Sequence, residues 1–461
     1  MKTWKIMLAL LLISLSLVAI LPIGKTLESV HAATSSTPPP TAWSKTYGGT
    51  RPDYALSVNQ TSDNGYALAG YTSSFGAGGD DAWLVKTDSS GNIQWKQTYG
   101  GTGGDYASSV VKTSDGGYAL AGSTDSIGAG SQDMWLIKTD SDGNMQWNKT
   151  FGGAGYDYAS SVIQTSDGGY ALVGYTDSFG AGSADAWLVR TDPNGNMLWN
   201  QTFGGKGYDE AYSVQTSNGG YVLAGATTSF GAGFLDFWLI NTDAFGKVQW
   251  NQTYGGTGDD EGYSVVQTTD NGYAIAGYTN SSGHGGYDGW LIKTDSSGNM
   301  QWNQTYGGTG GDHVYSMLQT RYGGYALSGV TNSFGTGAED AWLINTDSAG
   351  NIQWNQTYGG VGTDTLYSAV ETSDGGYALA GSTSSFGAGN TDFWLVKTEG
   401  SSLSPTPTST ASISPSPSSS NAGIVVYVAV AIVAILIAVV VTAAVLRKKG
   451  RLKTGAQHLL L

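Results

Sequence analysis

Two series of tryptophans with a common period constrain the fold of this 461-residue chain more than any other feature. Neighbours within each series stand 51 or 52 residues apart. The first series is Trp43, Trp95, Trp147, Trp199, Trp250, Trp302 and Trp354. The second series, in which each Trp follows an Asp by two positions, is Trp83, Trp135, Trp187, Trp238, Trp290, Trp342 and Trp394. A unit repeated seven times predicts one repetitive body rather than several unrelated domains.

Each unit is expected to contain four β-strands. In the unit at residues 148–199 these strands are predicted at 160–165, 169–176, 185–191 and 196–203, the last crossing into the next unit. Aromatic and β-branched residues fill these runs, and Gly, Asn, Asp and Ser separate them, as in strands joined by hairpins. Four antiparallel strands per 52 residues are typical of a propeller blade, whereas helical repeats need longer apolar stretches at a period of 3.6.

The ends of the repeat array indicate a closed ring. An extra strand is predicted before the first unit, at residues 42–47, and the last unit stops near Thr398 without its fourth strand. If the extra strand completes the last sheet, two strand edges that could promote aggregation are covered. We therefore predict an all-β fold, a seven-bladed β-propeller of four-stranded antiparallel blades over residues 42–399. A linear β-solenoid is the alternative, and it would leave these pieces unpaired.

Closure by an outermost strand also predicts two different faces. The first strand of each unit becomes the innermost, so the loops after the second and fourth strands share one face. We call this the long-loop face; the other, the tight-turn face, is expected to carry only short turns.

The N-terminal residues 1–32 have the pattern of a secretory signal peptide. Two lysines precede an apolar run at 6–23, and the small residues Ala32 and Ala33 follow it. Cleavage is expected after Ala32, with an uncleaved anchor as the alternative. A short linker at 33–41 then leads into the propeller.

The C-terminal residues predict a membrane anchor. Residues 400–422 are rich in Ser, Thr and Pro and are expected to form an extended stalk. Residues 423–446 carry no charge and are long enough to span a bilayer as a helix. The tail at 447–461 is basic, which places it on the cytoplasmic side. The sequence thus predicts a single-pass protein of the cell membrane whose N-terminal domain is extracellular.

Composition excludes several classes of function. The chain carries a formal net charge of −15, and its basic residues are concentrated near the two ends, so nucleic acid is an unexpected partner. Cysteine is absent, so neither disulfides nor thiolate metal sites can stabilise the fold.

The repeat resembles a known family of propeller repeats. Its unit reads Thr-Tyr-Gly-Gly-x-Gly-x-Asp, then Thr-Ser-Asp-Gly-Gly-Tyr-Ala-Leu-Ala-Gly, Asp-x-Trp-Leu-Val-Lys-Thr-Asp and Gly-Asn-x-Gln-Trp. Over residues 43–398 this is similar to the SBBP-type β-propeller repeat of bacterial and archaeal surface proteins. The resemblance implies a fold and a surface location more than an activity.

The turn from Asp88 to Trp95 also resembles the tryptophan-docking turn of quinoprotein propellers. That likeness implies that Trp95 and its six equivalents pack between blades. It implies no cofactor, and we predict none.

A glycine-rich loop with the pattern Gly-Gly-x-Gly-x-Asp is similar to a calcium-binding nonapeptide. Its aspartates are Asp53, Asp105, Asp157, Asp209, Asp260, Asp312 and Asp364. The copies stand far apart instead of in tandem, so an Asp that closes the loop by accepting backbone amides is the favoured interpretation. Scattered Ca²⁺ sites remain the alternative.

No catalytic or metal site is predicted. A second series of aspartates precedes the third strand of each unit: Asp81, Asp133, Asp185, Asp236, Asp288, Asp340 and Asp392. Paired carboxylates can cleave glycosidic bonds, but catalysis needs unlike environments, and sevenfold repetition favours a structural role. His284 and His313 are single replacements without an evident partner cluster.

Seven Asn-x-Ser/Thr sequons are possible glycosylation sites in an exported chain: Asn59, Asn148, Asn200, Asn251, Asn280, Asn303 and Asn355. Five of them share the pattern Trp-Asn-x-Thr, so duplication of the repeat is an equally good explanation.

Positions that vary among the blades indicate the binding surface. On the long-loop face these are Arg51, Tyr156, Lys206, Tyr208, Phe234, Leu235, Tyr287 and Glu339. Aromatic and apolar residues on exposed loops are unfavourable unless they contact a partner, although neutral drift would give the same variation.

The sequence favours a non-enzymatic surface protein that adheres to or recognises an envelope glycan or polymer, or a neighbouring surface protein. The alternatives are an extracellular polysaccharide-acting enzyme on a propeller and an architectural component of the cell coat.

Overall fold

A computed structural model describes residues 37–400 of the chain. These residues form 28 β-strands arranged in seven antiparallel four-stranded sheets. The predicted signal peptide, the part of the stalk after residue 400, the membrane helix and the basic tail lie outside the described residues. No helix long and apolar enough to cross a membrane occurs between residues 37 and 400.

The strands follow the repeat with regular bounds. The first strand of the chain is β1 (Thr41–Tyr47). Blades 1 and 2 consist of β2 (Asp53–Gln60), β3 (Tyr66–Thr72), β4 (Asp81–Thr87), β5 (Ile93–Tyr99), β6 (Asp105–Lys112), β7 (Tyr118–Thr124), β8 (Asp133–Thr139) and β9 (Met145–Phe151). Blades 3 and 4 consist of β10 (Asp157–Gln164), β11 (Tyr170–Thr176), β12 (Asp185–Thr191), β13 (Met197–Phe203), β14 (Asp209–Ser217), β15 (Gly220–Thr227), β16 (Asp236–Thr242) and β17 (Val248–Tyr254). Blades 5 and 6 consist of β18 (Asp260–Gln267), β19 (Tyr273–Thr279), β20 (Asp288–Thr294), β21 (Met300–Tyr306), β22 (Asp312–Gln319), β23 (Tyr325–Thr331), β24 (Asp340–Thr346) and β25 (Ile352–Tyr358). Blade 7 contains β26 (Asp364–Glu371), β27 (Tyr377–Thr383) and β28 (Asp392–Thr398).

The predicted closure of the ring is confirmed. Strand β1 pairs antiparallel with β28, so that blade 7 has the order β1-β28-β27-β26. The pairing runs from Thr41 opposite Thr398 to Tyr47 opposite Phe393. The N-terminal strand thus supplies the outer strand that the last repeat lacks.

The first strand of the unit at residues 148–199 was predicted to begin too late. In blade 3 it begins at Asp157 instead of residue 160, because Asp157 and Tyr158 already pair with Thr176 and Tyr175 of the second strand. The register then shifts between Ala159 and Ser161, where a bulge inserts one residue. A sequence pattern of strict alternation does not show a strand that continues through a bulge.

The first strands lie innermost, as predicted. Their backbones are linked around the ring by serine hydroxyls: the Val110 amide donates to Ser57 Oγ at 3.2 Å, and the Val162 amide donates to Ser109 Oγ at 3.3 Å. The Val58 amide donates to Ser368 Oγ at 3.2 Å, which joins blade 1 to blade 7. These contacts between equivalent strands surround the axis of the ring.

The hydrophobic core is a set of seven layers between adjacent blades. One such layer combines Ala69, Leu84 and Tyr99 of blade 1 with Leu120 and Trp135 of blade 2. A corresponding layer joins blade 1 to blade 7. Each sheet buries both of its faces against neighbouring blades. Residues on both faces are therefore apolar, and the second and third strands are buried almost throughout.

The tryptophans of the first series pack between blades, as the resemblance to a docking turn implied. Trp95 of β5 meets Tyr118 of the next blade edge-to-face, with ring centroids 5.9 Å apart. The turn of the following blade carries Gly143 at φ +79°, and a Cβ there would lie 2.6 Å from the Trp95 ring. Glycine therefore serves two needs, the left-handed turn and the close approach of the indole.

The tryptophans of the second series need an acceptor for the indole N–H. In five blades the outer strand supplies an asparagine Oδ1, at 3.1–3.2 Å from Nε1: Asn148, Asn200, Asn251, Asn303 and Asn355. In blade 7 the acceptor is Ser44 Oγ. These are the five asparagines of the Trp-Asn-x-Thr sequons, so the repeat has a structural reason to keep them, whether or not they are glycosylated.

Blade 1 departs from this arrangement. It has Lys96 at the asparagine position, and the buried Trp83 Nε1 has no hydrogen-bond partner among the described residues. The Lys96 ammonium instead lies 3.9 Å from the centroid of the Phe75 ring. A buried donor without a partner costs about 1–3 kcal/mol.

Five buried cations neutralise turn carboxylates on the tight-turn face: Lys86 with Asp63, Lys138 with Asp115, Arg190 with Asp167, Lys293 with Asp270, and Lys397 with Asp374. In blades 4 and 6 both partners are replaced. Asn241 and Asn345 occupy the position of the cation, and Asn218 and Tyr322 occupy that of the carboxylate. The paired replacement avoids an uncompensated buried charge, which would be far more destabilising than loss of the whole pair.

Removing β1 is expected to prevent the ring from closing. Deletion of residues 37–47 would leave β28 as an open edge and expose the layer between blades 1 and 7. We expect a large loss of thermal stability and aggregation, measured by differential scanning calorimetry and light scattering. Deletion of 37–40 alone is the control, and equal stability of both truncated chains would contradict closure by β1.

Substitution of Lys96 by Asn is expected to stabilise the protein. The new Oδ1 would accept the Trp83 N–H, and after the loss of the cation–π contact we expect a net gain of about 1 kcal/mol in the free energy of unfolding. Urea denaturation of protein from a host without N-glycosylation measures it. The reverse change, Asn251→Lys, should destabilise the protein; a fall in stability for Lys96→Asn would refute the argument.

Candidate functional site

The innermost strands break the sevenfold repetition at one position. Directly after the loop aspartate, the seven blades carry Tyr54, Tyr106, Tyr158, Glu210, Glu261, His313 and Thr365. Glu210 and Glu261 are each only 8% exposed. Two adjacent blades thus place a buried carboxyl near the axis where three others place a tyrosine.

A second position on the same strands adds an arc of tyrosines. The residue inserted at the bulge is Tyr212, Tyr263, Tyr315 or Tyr367 in blades 4–7, but Leu56, Ser108 or Ser160 in blades 1–3. The Tyr212 and Tyr263 rings stack with centroids 4.3 Å apart. Tyr315 lies 5.3 Å from Tyr263 and 5.6 Å from Tyr367, so the rings run without a break along four blades.

Tyrosine and histidine rings complete the surroundings of the two carboxyls. Tyr278 of the second strand of blade 5 lies 5.7 Å from Tyr263 and 4.5 Å from His313. Tyr287, on the loop above, lies 5.2 Å from both Tyr278 and His313. We call this group the channel sector; its members are Tyr208, Glu210, Tyr212, Glu261, Tyr263, Tyr278, Tyr287, His313 and Tyr315.

One tyrosine hydroxyl bridges the two carboxyls. Tyr212 Oη contacts Glu210 Oε1 and lies 3.1 Å from Glu261 Oε2. A phenol has a single proton to donate, so it can satisfy only one of two carboxylates. Both contacts are satisfied when Glu210 is protonated: Glu210 donates to Tyr212, and Tyr212 donates to Glu261.

The pKa shifts agree with this distribution of protons. Burial, with a smaller contribution from the charge of Glu261, raises the pKa of Glu210 to about 8. Burial also raises the pKa of Glu261, but hydrogen bonds from Tyr278 and Tyr263 oppose that rise. Tyr263 Oη donates to Glu261 at 2.8 Å, and Tyr208 Oη donates to Glu210 at 3.0 Å. Glu210 is therefore the neutral member of the pair near pH 7.

The structure brings two of the predicted binding residues into the channel sector. Tyr208 donates to Glu210, and Tyr287 packs on His313 while its hydroxyl lies 3.3 Å from Asp259 Oδ2. The sequence analysis did not single out Glu210 and Glu261, which directly follow two of the loop aspartates. Comparing the seven residues at that position would have revealed them.

The other predicted binding residues lie apart from this sector on the long-loop face. Arg51, Tyr156 and Lys206 are exposed, and Phe234 is 75% exposed. Leu235 and Glu339 are half-buried, and their carbonyls accept the backbone amides of Asp260 and Asp364. Phe234 thus offers the largest exposed aromatic surface in this set.

The loop aspartates close their loops, as the favoured interpretation predicted. Asp105 Oδ2 accepts the Gly101 amide at 2.8 Å and the Ser126 hydroxyl at 2.6 Å, while Oδ1 accepts the Thr124 hydroxyl. The same contacts recur in the other blades, for example at Asp157. Binding of Ca²⁺ by these loops stays an untested alternative.

The aspartates before the third strand also have a structural role. Asp185 Oδ2 accepts the amides of Ala181 and Gly182, and Asp133 makes the corresponding contacts in blade 2. In blade 5 the amide donor is His284, an exposed loop residue. His313, in contrast, packs inside the channel sector, and burial lowers its pKa.

The tight-turn face carries short turns, as predicted, and it also contains a groove. A groove of about 650 Å³ lies there between blades 3 and 4, and its lining includes Arg190, Leu198, Trp199 and Tyr221. The hairpin of blade 4 is one residue shorter than that of its neighbours, with Ser217 paired to Gly220, and its residues line one side of the groove. A single deletion of this kind was not recognised in the sequence.

No family model and no curated protein matches this chain. Its structure is similar to the Pan2 WD40 domain of Neurospora crassa, at 10% identity and a TM-score of 0.45 over 76% of this chain and 89% of that one. It is also similar to BamB from Moraxella catarrhalis, at 11% identity and a TM-score of 0.41 over 77% and 100%. It is similar, too, to a protein of unknown function from Dyadobacter fermentans, at 12% identity and a TM-score of 0.45 over 78% of this chain and 98% of that one.

These likenesses concern the fold and carry no activity over to this chain. The seven-bladed propeller is established by the strand pairing of the chain itself. Membership of the SBBP-type repeat family stays a prediction from the sequence.

Substitution of Glu210 by Gln is expected to remove a pH dependence of stability. The pKa of Glu210 is higher in the folded than in the unfolded protein, so its stabilising contribution is complete below about pH 4.5 and is lost as pH rises towards 8. Between pH 6.5 and 8 we expect the free energy of unfolding to fall by up to about 1.4 kcal/mol per pH unit in the unmodified chain.

Urea denaturation at several pH values measures this slope. Glu210→Gln should reduce it, because glutamine keeps the hydrogen bonds and cannot ionise. Glu339→Gln, on the same face, is the matched control and should leave the slope unchanged. The same slope in all three proteins would show that Glu210 is ionised at neutral pH.

Proposed function

We propose that this protein is a membrane-anchored cell-surface propeller that acts as a non-enzymatic recognition module for an envelope polymer or a surface protein. The signal-like N-terminal residues and the apolar segment at 423–446 support the location. The closed ring supports a binding role, since propellers present a rigid disc whose loops and axis contact partners.

The observation that carries the proposal is the asymmetry of the channel sector. The layers between blades are nearly identical around the ring, because each must bury the same kind of surface. The tyrosine arc and the two glutamates occur on one side of the axis alone. An architectural role through identical blade edges gives no reason for this asymmetry, whereas recognition of an asymmetric ligand does.

The direction of the chain ends supports the long-loop face as the binding face. Pro40 precedes β1 and Glu399 follows β28, and the Glu399 amide donates to the Pro40 carbonyl at 2.7 Å. Both ends of the propeller therefore leave through the tight-turn face. The loops with Tyr156, Tyr208 and Phe234 lie on the opposite face, where a partner can reach them without contacting residue 400.

An enzyme on the propeller is the second candidate, because Glu210 and Glu261 are carboxyls with different protonation. A glycosidase needs two carboxyls on either side of the scissile bond. Here both carboxyls contact one hydroxyl, and tyrosines hydrogen-bond to each of them, so no sugar bond fits between them without displacing these rings. Recognition therefore fits the geometry better than hydrolysis does.

Binding to cell-envelope fractions tests the proposal. The soluble propeller should bind saturably, and the double variant Tyr156→Ala/Phe234→Ala should lose at least tenfold in affinity. Phe245→Ala is the matched control, because Phe245 is 73% exposed but lies on the tight-turn face. Repeating the assay with EDTA tests the calcium alternative at the loop aspartates.

The absence of saturable binding would overturn the recognition proposal and favour a coat component or an enzyme. Equal loss of binding in Phe245→Ala would show that the contact is unspecific or lies on the wrong face.

A further inference from the structure

The buried carboxyls of the channel sector have no cationic partner among residues 37–400. Elsewhere in the described residues, each of the buried cations on the third strands is paired with a carboxylate. Neither Glu210 nor Glu261 forms an ion pair in the same part of the chain, although each is more than nine-tenths buried. Carboxyls in such an environment normally require a cation or a proton.

The walls around these carboxyls are aromatic rather than aliphatic. Tyr212 and Tyr263 stack beside the two glutamates, and Tyr278 and Tyr315 extend the same wall. A ring face attracts a cation through its quadrupole, and the attraction strengthens when water is excluded. Four tyrosines with two carboxyls therefore favour a positively charged organic group over a neutral or an anionic one.

The approach to the sector is also acidic. Asp80 accepts from the Tyr106 hydroxyl at 3.0 Å, and Asp259 lies at the Tyr287 hydroxyl. The negative charge of Asp177 contributes to raising the pKa of Tyr175, and that of Glu339 contributes to raising the pKa of Tyr315. These four carboxylates, which we call the acidic rim, occupy the long-loop side of the channel and would attract a cation from solution.

We propose that the channel sector binds an organic ammonium group, carried by a lysine-rich segment of a protein partner, with the cation held beside the Glu210–Tyr212–Glu261 contact against the faces of the surrounding tyrosines. This inference rests on the proposed recognition function and specifies its ligand. A long, flexible ammonium side chain can reach a site near the axis, and the acidic rim would attract further basic residues of the same segment.

Binding of a cation is coupled to release of a proton. The groups that face Glu210 are Tyr208, Tyr212, Tyr263 and Glu261, with Tyr158 and Tyr175 from blade 3. None of these is basic, so a bound ammonium would be the first positive charge beside the pair. Glu210 must then give up its proton, and affinity should increase as pH rises from 6.5 to 8.

Isothermal titration calorimetry of the full-length chain in non-ionic detergent tests the site. The probes are n-butylammonium, its neutral analogue n-butanol, and butyrate. We expect binding of the ammonium alone, with release of about one proton at pH 7, shown by buffers of different ionisation enthalpy. Glu261→Gln should weaken binding more than tenfold, and Glu210→Gln should weaken it and abolish proton release.

Asp142→Asn, which removes an exposed carboxylate from the tight-turn face, is the control for a general effect of charge, and it should change affinity less than twofold. Thermal unfolding of each variant confirms that it is folded. Equal binding of n-butanol and n-butylammonium, or unchanged affinity in both glutamine variants, would overturn the inference.

Competition separates this inference from the recognition proposal. If envelope fractions bind saturably but neither n-butylammonium nor oligolysine competes, recognition stands and the ammonium site is refuted. If n-butylammonium binds with proton release while envelope fractions do not, the site stands and the recognition proposal fails. Competition by glucosamine oligomers but not by oligolysine would refute the protein partner in favour of an amino sugar.

Discussion

Burial of each blade against the next is the constraint on which the whole structure depends. A four-stranded sheet with two apolar faces is not stable alone, and here each face is covered by an adjacent blade. An edge-to-face contact between a Trp and a Tyr fixes every layer, as between Trp147 and Tyr170 or between Trp43 and Tyr66. Because the last of these contacts uses β1, the ring is complete only when the two ends of the propeller meet.

The same constraint explains where variation occurs. A change in a layer between blades affects the packing of two sheets at once, so the seven layers are built from the same few residue types. Positions that face the axis or the loops touch fewer neighbours and can differ from blade to blade. Glu210, Glu261 and His313 stand at such positions, which is why a nearly sevenfold molecule has one side of its channel unlike the others.

The architecture could be predicted from the sequence because its determinants repeat. The tryptophan period, the hairpin turns and the spare strand at residues 42–47 were sufficient to give the number of blades and the mode of closure. The site could not be found in the same way, since it depends on which residues from different blades meet at the axis. Glu210 and Tyr212 meet Glu261 across two blades, and a bulge turns Tyr212 towards it, so that neither contact follows from spacing along one strand.

Two features of the structure could not be predicted from the average sequence of the repeat. The groove between blades 3 and 4 is lined by the hairpin at Ser217 to Gly220, which is one residue shorter than its equivalents. The unsatisfied Trp83 results from one lysine in place of an asparagine. Both were visible as single departures from the repeat, but their effect depends on neighbouring strands that the sequence alone does not bring together.

The clasp between β1 and β28 has a mechanical consequence. Both ends of the propeller enter at the same end of this ladder, next to the pair Thr41 and Thr398. A force that pulls the two ends apart would break the hydrogen bonds one after another, as in unzipping, and would meet little resistance. A force applied at residue 400 alone and resisted by a ligand on the long-loop face would instead act along β28 and load its bonds to β1 and β27 together, in shear. The ring should therefore resist a force applied between residue 400 and the long-loop face better than a force that separates the two ends of the propeller.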